Sequence, residues 1–170
     1  MLTIVVIAFN RINSLKRLLY SLSKTEFKEE VRLIISIDKG NNKDVLEYSN
    51  NFIWNNGEKI VIYQNENLGL RDHVLKCGDL SYKYGNIIIL EDDLFISPGF
   101  YNFAKKAIEY YKNNEKIAGI SLYSHKRNVH NNRKFLNMKD ESDVFFMQFP
   151  SSWGQAWTNK QWDLFKKWYA

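Results

Sequence analysis

The chain has 170 residues, 45% hydrophobic and 25% charged, with a formal net charge of +5. These are the proportions of an ordinary soluble globular protein with a real core, and they suit a single domain over residues 1–170. Lys and Arg are scattered, which argues against the basic stripe of a nucleic-acid binder and favours a plain solvated surface, with attraction to an anionic substrate or membrane face as the alternative.

One cysteine, Cys77, excludes an internal disulfide and argues against a Cys-based metal site. No stretch approaches the roughly 18–20 apolar residues of a membrane span. The apolar run after Met1 lacks a basic leader and a small-residue cleavage site, so it reads as a first strand rather than a signal peptide. The expectation is a cytoplasmic protein, with peripheral association at the inner membrane face as an open possibility.

Leu2–Phe9 is a nearly continuous β-branched run, the pattern of a strand covered on both faces. Asn10 supplies a turn and cap, and Ile12, Leu15, Leu18, Leu19 and Leu22 follow at helical spacing. Val31–Ile37 is a second strand, Lys43–Asn55 a weaker helix, and Lys59–Tyr63 a short third strand. Gly69–Tyr84 reads as a helix ended by Gly85-Asn86, and Ile87–Leu90 as a fourth buried strand. Ser97 looks like an N-cap with Pro98 at the first helical position, ahead of a helix marked by Phe100, Phe103, Ala104, Ala107, Ile108 and Tyr111. Ile117–Leu122 is a fifth strand, His125–Asp140 a polar mobile loop, Val144–Phe149 an extended segment and Thr158–Tyr169 a last amphipathic helix. Alternating strand and helix through residue 90 is the rhythm of an α/β protein with a mostly parallel sheet.

In open α/β sheets, ligands bind beyond the carboxyl ends of the strands. Four strands here end on polar residues: Asn10-Arg11, Asp38, Gln64-Asn65 and Glu91-Asp92-Asp93. That convergence is the main functional signal. The three consecutive acids raise one another's pKa unless a cation compensates, and Mg2+ or Mn2+ suits carboxylates that share a cation with substrate phosphates. If extended, the segment would project Glu91 and Asp93 to one side and Asp92 to the other. The alternative is an acidic loop complementing a helix N-terminus. Asp38 reads either as a ligand for a base or ribose, or as a turn residue. Arg11 reads as a phosphate or base contact, or as a solvent-facing side chain. Arg71, Asp72 and His73 sit in the first turn of a helix opened by Gly69, where an anionic group can bind. His73 and Cys77 share a helix face, and core packing is favoured over a metal site. His125 and His130 read as surface residues. Trp157, Trp162 and Trp168 read as packing; Trp153 lies in a loop, where its ring can stack on a sugar or base.

The segments IVVIAFNR, ISIDKG, QNENLGLRDHV and IIILEDDLFISPGFYNF, with the later FPSSWGQAWTNKQW, resemble the GT-A glycosyltransferases. The branch is the one spanning family-2-like bacterial enzymes and the animal N-acetylglucosaminyltransferase I type. The resemblance implies a Rossmann-like nucleotide-diphospho-sugar transferase fold and transfer of a hexosyl or N-acetylhexosaminyl group from a donor, expected to be UDP-linked. The acceptor would be a hydroxyl on a glycan, lipid-linked or protein molecule, as in polysaccharide biosynthesis, with inversion. It makes Asp93 the direct ligand of Mn2+ or Mg2+ and puts Glu91 and Asp92 on the ribose and donor sugar. Arg11 and Asp38 fall at the base and ribose, His73 near the uracil, and Arg71 near the diphosphate or sugar. Ser152, Trp153 and Gly154 line the donor-sugar and acceptor side.

The same resemblance implies that the catalytic base and acceptor-binding elements follow Ala170, so the domain is expected to be cut short; Asp163 is a weak candidate for the base. Two competing readings remain. A nucleotidyltransferase making nucleotide sugars would want a Gly-rich basic loop after the first strand, where FNRINSLKR has no glycine. A catalytically silent nucleotide- or glycan-binding module is the other.

Overall fold

The computed structural model describes residues 2–128, 131–136, 141–149 and 151–170. Met1, His130 and Asp140, all named above, lie outside these, as does the proline of the FPSSWG segment. The element order is β1 (Thr3–Ala8), α1 (Ile12–Ser23), β2 (Leu33–Ile37), α2 (Lys43–Asn51), β3 (Lys59–Tyr63), α3 (Gly69–Asp79) and α4 (Ser81–Tyr84). Then come β4 (Ile87–Glu91), α5 (Phe100–Tyr111), β5 (Ile120–Ser121), β6 (Gln155–Trp157) and α6 (Asn159–Tyr169).

The strands form one six-stranded sheet in the order β3-β2-β1-β4-β6-β5. β1 pairs in parallel with both β2 and β4, and β2 with β3, whereas β6 runs antiparallel to both β4 and β5. The mostly parallel α/β sheet expected from the sequence is present.

The β-branched runs alternate their side chains between two cores. Ile4, Val6, Leu33, Ile35, Ile88 and Leu90 pack with Leu15, Leu18, Leu19 and Leu22 of α1 and Tyr101, Ala104 and Ile108 of α5. Val5, Ile7, Ile34, Ile87 and Ile89 point the other way, toward Cys77 of α3 and Trp162 of α6. Covering both faces is what lets hydrophobic residues occupy every position of β1 after Thr3. Trp162 is 2% exposed and donates its indole N–H to Asp79 at 2.9 Å. A Cβ at Gly78 would lie 1.9 Å from the Trp162 ring, so glycine is what allows α6 to seat on α3.

Several boundaries differ from the sequence expectation. The N-cap of α1 is Arg11 rather than Asn10, and it makes no side-chain cap bond. The second helix stops at Asn51 because Phe52 turns extended, and Trp54 is anchored by donating to the Val31 carbonyl at 2.8 Å. The fifth helix starts at Phe100 with Gly99 as N-cap; Ser97 accepts from Gly99 N–H instead of capping with Pro98. The fifth strand shrinks to Ile120–Ser121. Residues 144–149 form no strand, and β6 takes the place beside β4. The polar 125–140 stretch contains an antiparallel bridge between Arg127 and Lys134. The last helix begins as expected, with Thr158 and Gln161 forming a reciprocal capping box. Among the described residues no helix is long and apolar enough to cross a membrane.

Candidate donor-binding site

The chain runs from β1 outward through β2 to β3, then returns to place β4 on the other side of β1. Strand order therefore reverses between β1 and β4, and their carboxyl ends open the crevice where such sheets take ligands. A cavity of about 330 Å³ lies there, lined by Ile7–Arg11, Asp38, Asn67, Gly69, Leu70, His73, Glu91 and Asp92. That volume is at the small end of ligand sites, about 300–1,000 Å³.

Three of the four polar strand ends meet at this cavity; the third does not. Gln64 is buried and donates to Ser36 Oγ at 3.0 Å, while the Asn65 carbonyl accepts from Lys39 Nζ at 2.7 Å. Asn67, farther along, supplies the lining instead.

Asp38 is 4% exposed. One carboxylate oxygen accepts from the N–H groups of Lys39 and Leu68, at 3.0 and 2.9 Å, and the other from Gly69 N–H at 2.9 Å. Asp38 thus satisfies amides that open α3, so those amides are not free for an anionic ligand. Gly69 holds a φ of +71°, a left-handed conformation that glycine adopts without Cβ strain. Asn42, which the sequence reading missed, donates from its amide to the carbonyls of both Phe9 and Asp38 and so ties the ends of β1 and β2. Its signal was a polar residue in the turn after Asp38-Lys39-Gly40.

His73 is 2% exposed, with Nε2 2.8 Å from Ser36 Oγ. Burial lowers its pKa below the ordinary 6.5, with Lys76 adding to this and Asp38 opposing it. Cys77 is buried in the core, and desolvation pushes its thiol up to about 12. Cys77 packs in the core as expected, whereas His73 also lines the cavity. Arg71 is not brought to the cavity lining. It is exposed, pairs with Asp72 at 2.9 Å and sits 5.9 Å from the Tyr169 ring.

The acidic cluster is turned rather than extended. Leu94 N–H donates to the Glu91 carbonyl at 3.2 Å, and this turn lets Asp92 and Asp93 reach the same guanidinium instead of opposite sides. Arg11 donates to Asp92 Oδ1 at 2.5 Å and to Asp93 Oδ2 at 2.9 Å. Arg17 donates to the Asp93 carbonyl at 2.6 Å. Burial opposes the Arg11 charge, but Asp92 and Asp93 outweigh it and raise the Arg11 pKa. Asp92 is 3% exposed, and burial still leaves its pKa above the usual range although Arg11 pulls it down. Burial likewise raises Glu91; Asp93 adds to this, while the Ser152 hydroxyl and Arg11 oppose it. The compensating cation that the cluster requires is, in part, the chain's own arginine.

Hard carboxylate oxygens fit Mg2+ or Mn2+. Among the described residues no three His, Cys, Asp or Glu are grouped to hold an ion by themselves. Glu91, Asp92 and Asp93 are carboxylates of the chemistry such an ion takes, and a cation there would need further oxygens from a ligand.

Trp153 is 48% exposed and forms an aromatic group with Tyr123, 4.7 Å between centroids, and His125 at 5.9 Å. Phe149 joins through His125 at 5.4 Å, so His125 packs among rings rather than standing alone on the surface. Gly154 has a φ of +81°, and a Cβ there would meet Leu122 Cβ at 3.2 Å. Trp168, expected to pack, is 81% exposed. Asp163 pairs with Lys167 on α6 at 2.7 Å and is not part of the cavity lining.

A crevice at the reversal point of a parallel sheet, lined by Glu91 and Asp92 together with the buried Asp38 and His73, is where open α/β sheets take their ligands. The profile of glycosyl transferase family 2 matches residues 3–162, and the chain belongs to that family. No curated protein matches it in sequence. Among solved structures, TarS of S. aureus is 19% identical with a TM-score of 0.50, covering 65% of this chain and 20% of that one. The mannosyltransferase PcManGT of Pyrobaculum calidifontis, in complex with GDP-Man and Mn2+, is 10% identical with a TM-score of 0.53, covering 71% of this chain and 34% of that one. The shared element is the GT-A fold, as the sequence resemblance implied. The chain spans about a third or less of the length of these structures.

Proposed function

We propose that the chain forms the donor-binding part of a metal-dependent, inverting glycosyltransferase that uses a UDP-linked sugar and a hydroxyl acceptor on a glycan, lipid-linked or protein molecule. The observation that carries this reading is the cavity between β1 and β4, which joins Asp38 and His73 to Arg11, Glu91 and Asp92. Its walls suit a nucleoside between Ile7, Ala8, Asp38 and His73. Arg11 and Arg17 supply positive charge for a diphosphate beside the acidic turn. Glu91, with the Ser152 hydroxyl upon it, and Asp92 suit hydroxyls of the ribose or donor sugar. Asp93 and its neighbours would hold Mn2+ or Mg2+, whose chemistry is to neutralise charge on the departing diphosphate. That a fold relative binds GDP-Man with Mn2+ supports the cation.

Trp153 offers its half-exposed ring to a pyranose at the acceptor side, and Gly154 sets the loop that presents it. Arg71, directed to Asp72 and Tyr169, is given no role at the diphosphate in this arrangement. The reading extends to a cytoplasmic enzyme working at the inner membrane face in surface-polysaccharide synthesis.

The β1–α1 connection is Phe9-Asn10-Arg11, without the glycine-rich phosphate loop a nucleotidyltransferase needs. Mass-spectrometric screening of UDP- and GDP-sugars with glycan acceptors tests the proposal. Transfer or donor cleavage that favours a UDP-sugar is expected. Formation of a nucleotide sugar from a nucleoside triphosphate and a sugar phosphate would replace it.

A further inference from the structure

The same guanidinium holds the oxygens a divalent cation would use. Arg11 bonds to Asp92 Oδ1 and Asp93 Oδ2, and two cations cannot share those oxygens without strong repulsion. The contact is also releasable. The Arg11 side chain is 51% exposed, Asp93 is 43% exposed, and Arg11 makes no cap bond to α1 that swinging away would break. A nucleoside diphosphate entering the cavity would bring phosphate oxygens beside Arg11, since Arg11 lines it. Guanidinium pairs well with either carboxylate or phosphate, so an exchange of partners leaves its charge satisfied.

We propose that Arg11 is an internal counter-ion that makes the cation and the nucleoside diphosphate bind as a pair. In the free protein it neutralises Asp92 and Asp93 and keeps a divalent cation out; when the diphosphate arrives, Arg11 moves to it and releases the carboxylates. Arg17, fixed on the Asp93 carbonyl, holds the acidic turn in place during the exchange. This rests on the donor-site reading above.

The test is Mn2+ binding, followed by the electron paramagnetic resonance signal of free Mn2+, on the full 170-residue chain with and without UDP. Wild type should bind Mn2+ weakly alone and much more tightly with UDP. Arg11→Gln should bind Mn2+ alone about tenfold more tightly than wild type, as loss of a neighbouring positive charge requires. UDP should then add less than it does in wild type, and Asp93→Ala placed on Arg11→Gln should remove the gain. Arg11→Met, a second uncharged side chain, should behave as Arg11→Gln, and Arg11→Lys should stay nearer wild type. Equal Mn2+ affinity in wild type and both uncharged variants, with an unchanged UDP effect, overturns the counter-ion role and leaves the donor site standing. Absence of Mn2+ binding in every protein even with UDP would instead remove the donor-site reading, and this inference with it.

Discussion

Asp38 and Gly69 are joined by a 2.9 Å hydrogen bond from the Gly69 N–H to the Asp38 carboxylate, across 31 residues of sequence. The bond ties the end of β2 to the first turn of α3, and both residues line the same cavity. Because Asp38 also accepts from Leu68 and Lys39, it holds one wall of the cavity in place.

Replacing Asp38 with alanine leaves the part-buried amides of Leu68 and Gly69 without their carboxylate. The expected loss is about 2 kcal/mol, within the range for hydrogen bonds to a charged group. For a domain of this size that lowers Tm by roughly 4–8 °C. Thermal denaturation checks this, and calorimetry should show UDP affinity falling at least about tenfold if the wall shapes the nucleoside site.

Gly154→Ala tests the Trp153 loop. The φ of +81° and a Cβ placed 3.2 Å from Leu122 Cβ both act against a side chain there. A destabilisation of about 1–3 kcal/mol is expected. Trp153 fluorescence should shift as its contact with Tyr123 changes, while UDP affinity should change less than in Asp38→Ala. An alanine variant with wild-type Tm would show that the backbone here relaxes freely.

His73 gives the pH prediction. Its folded pKa is lowered from 6.5, chiefly by burial, so below 6.5 the unfolded chain takes up a proton that the folded chain resists. Stability from neutral His73 is therefore present above 6.5 and is lost as pH falls. Glu91 and Asp92, raised mainly by burial, act in the opposite sense: protonation at low pH favours the fold, and that contribution is lost as pH rises through their folded values. Comparing wild type with His73→Gln cancels the carboxyls common to both. The wild-type advantage in Tm should shrink as pH is lowered from about 7.5 to about 5.5. A constant difference would contradict the assignment.

The parallel half of the sheet was legible because a strand covered on both faces leaves an unbroken β-branched run, as in β1, β2 and β4. The three-residue β6 was not, since Gln155–Trp157 carries no alternation and gains its place only by pairing with Ile87–Ile89 far upstream. At the site, the residue types were readable and their geometry was not. Spacing showed three acids after a strand, but the turn at Asp92-Asp93 depends on the Leu94 hydrogen bond. The Arg11 pairing with Asp92 and Asp93 spans more than 80 residues, which no local pattern encodes. Arg71 read in the sequence as an anion contact at a helix start, yet its side chain pairs with Asp72 and lies by the Tyr169 ring.

Calorimetric titration of UDP into the chain, with and without Mn2+, tests the donor site most directly, alongside Asp93→Ala. The account predicts UDP binding that depends on Mn2+ and disappears in Asp93→Ala. Absent UDP binding, or binding indifferent to both the metal and Asp93, would contradict it.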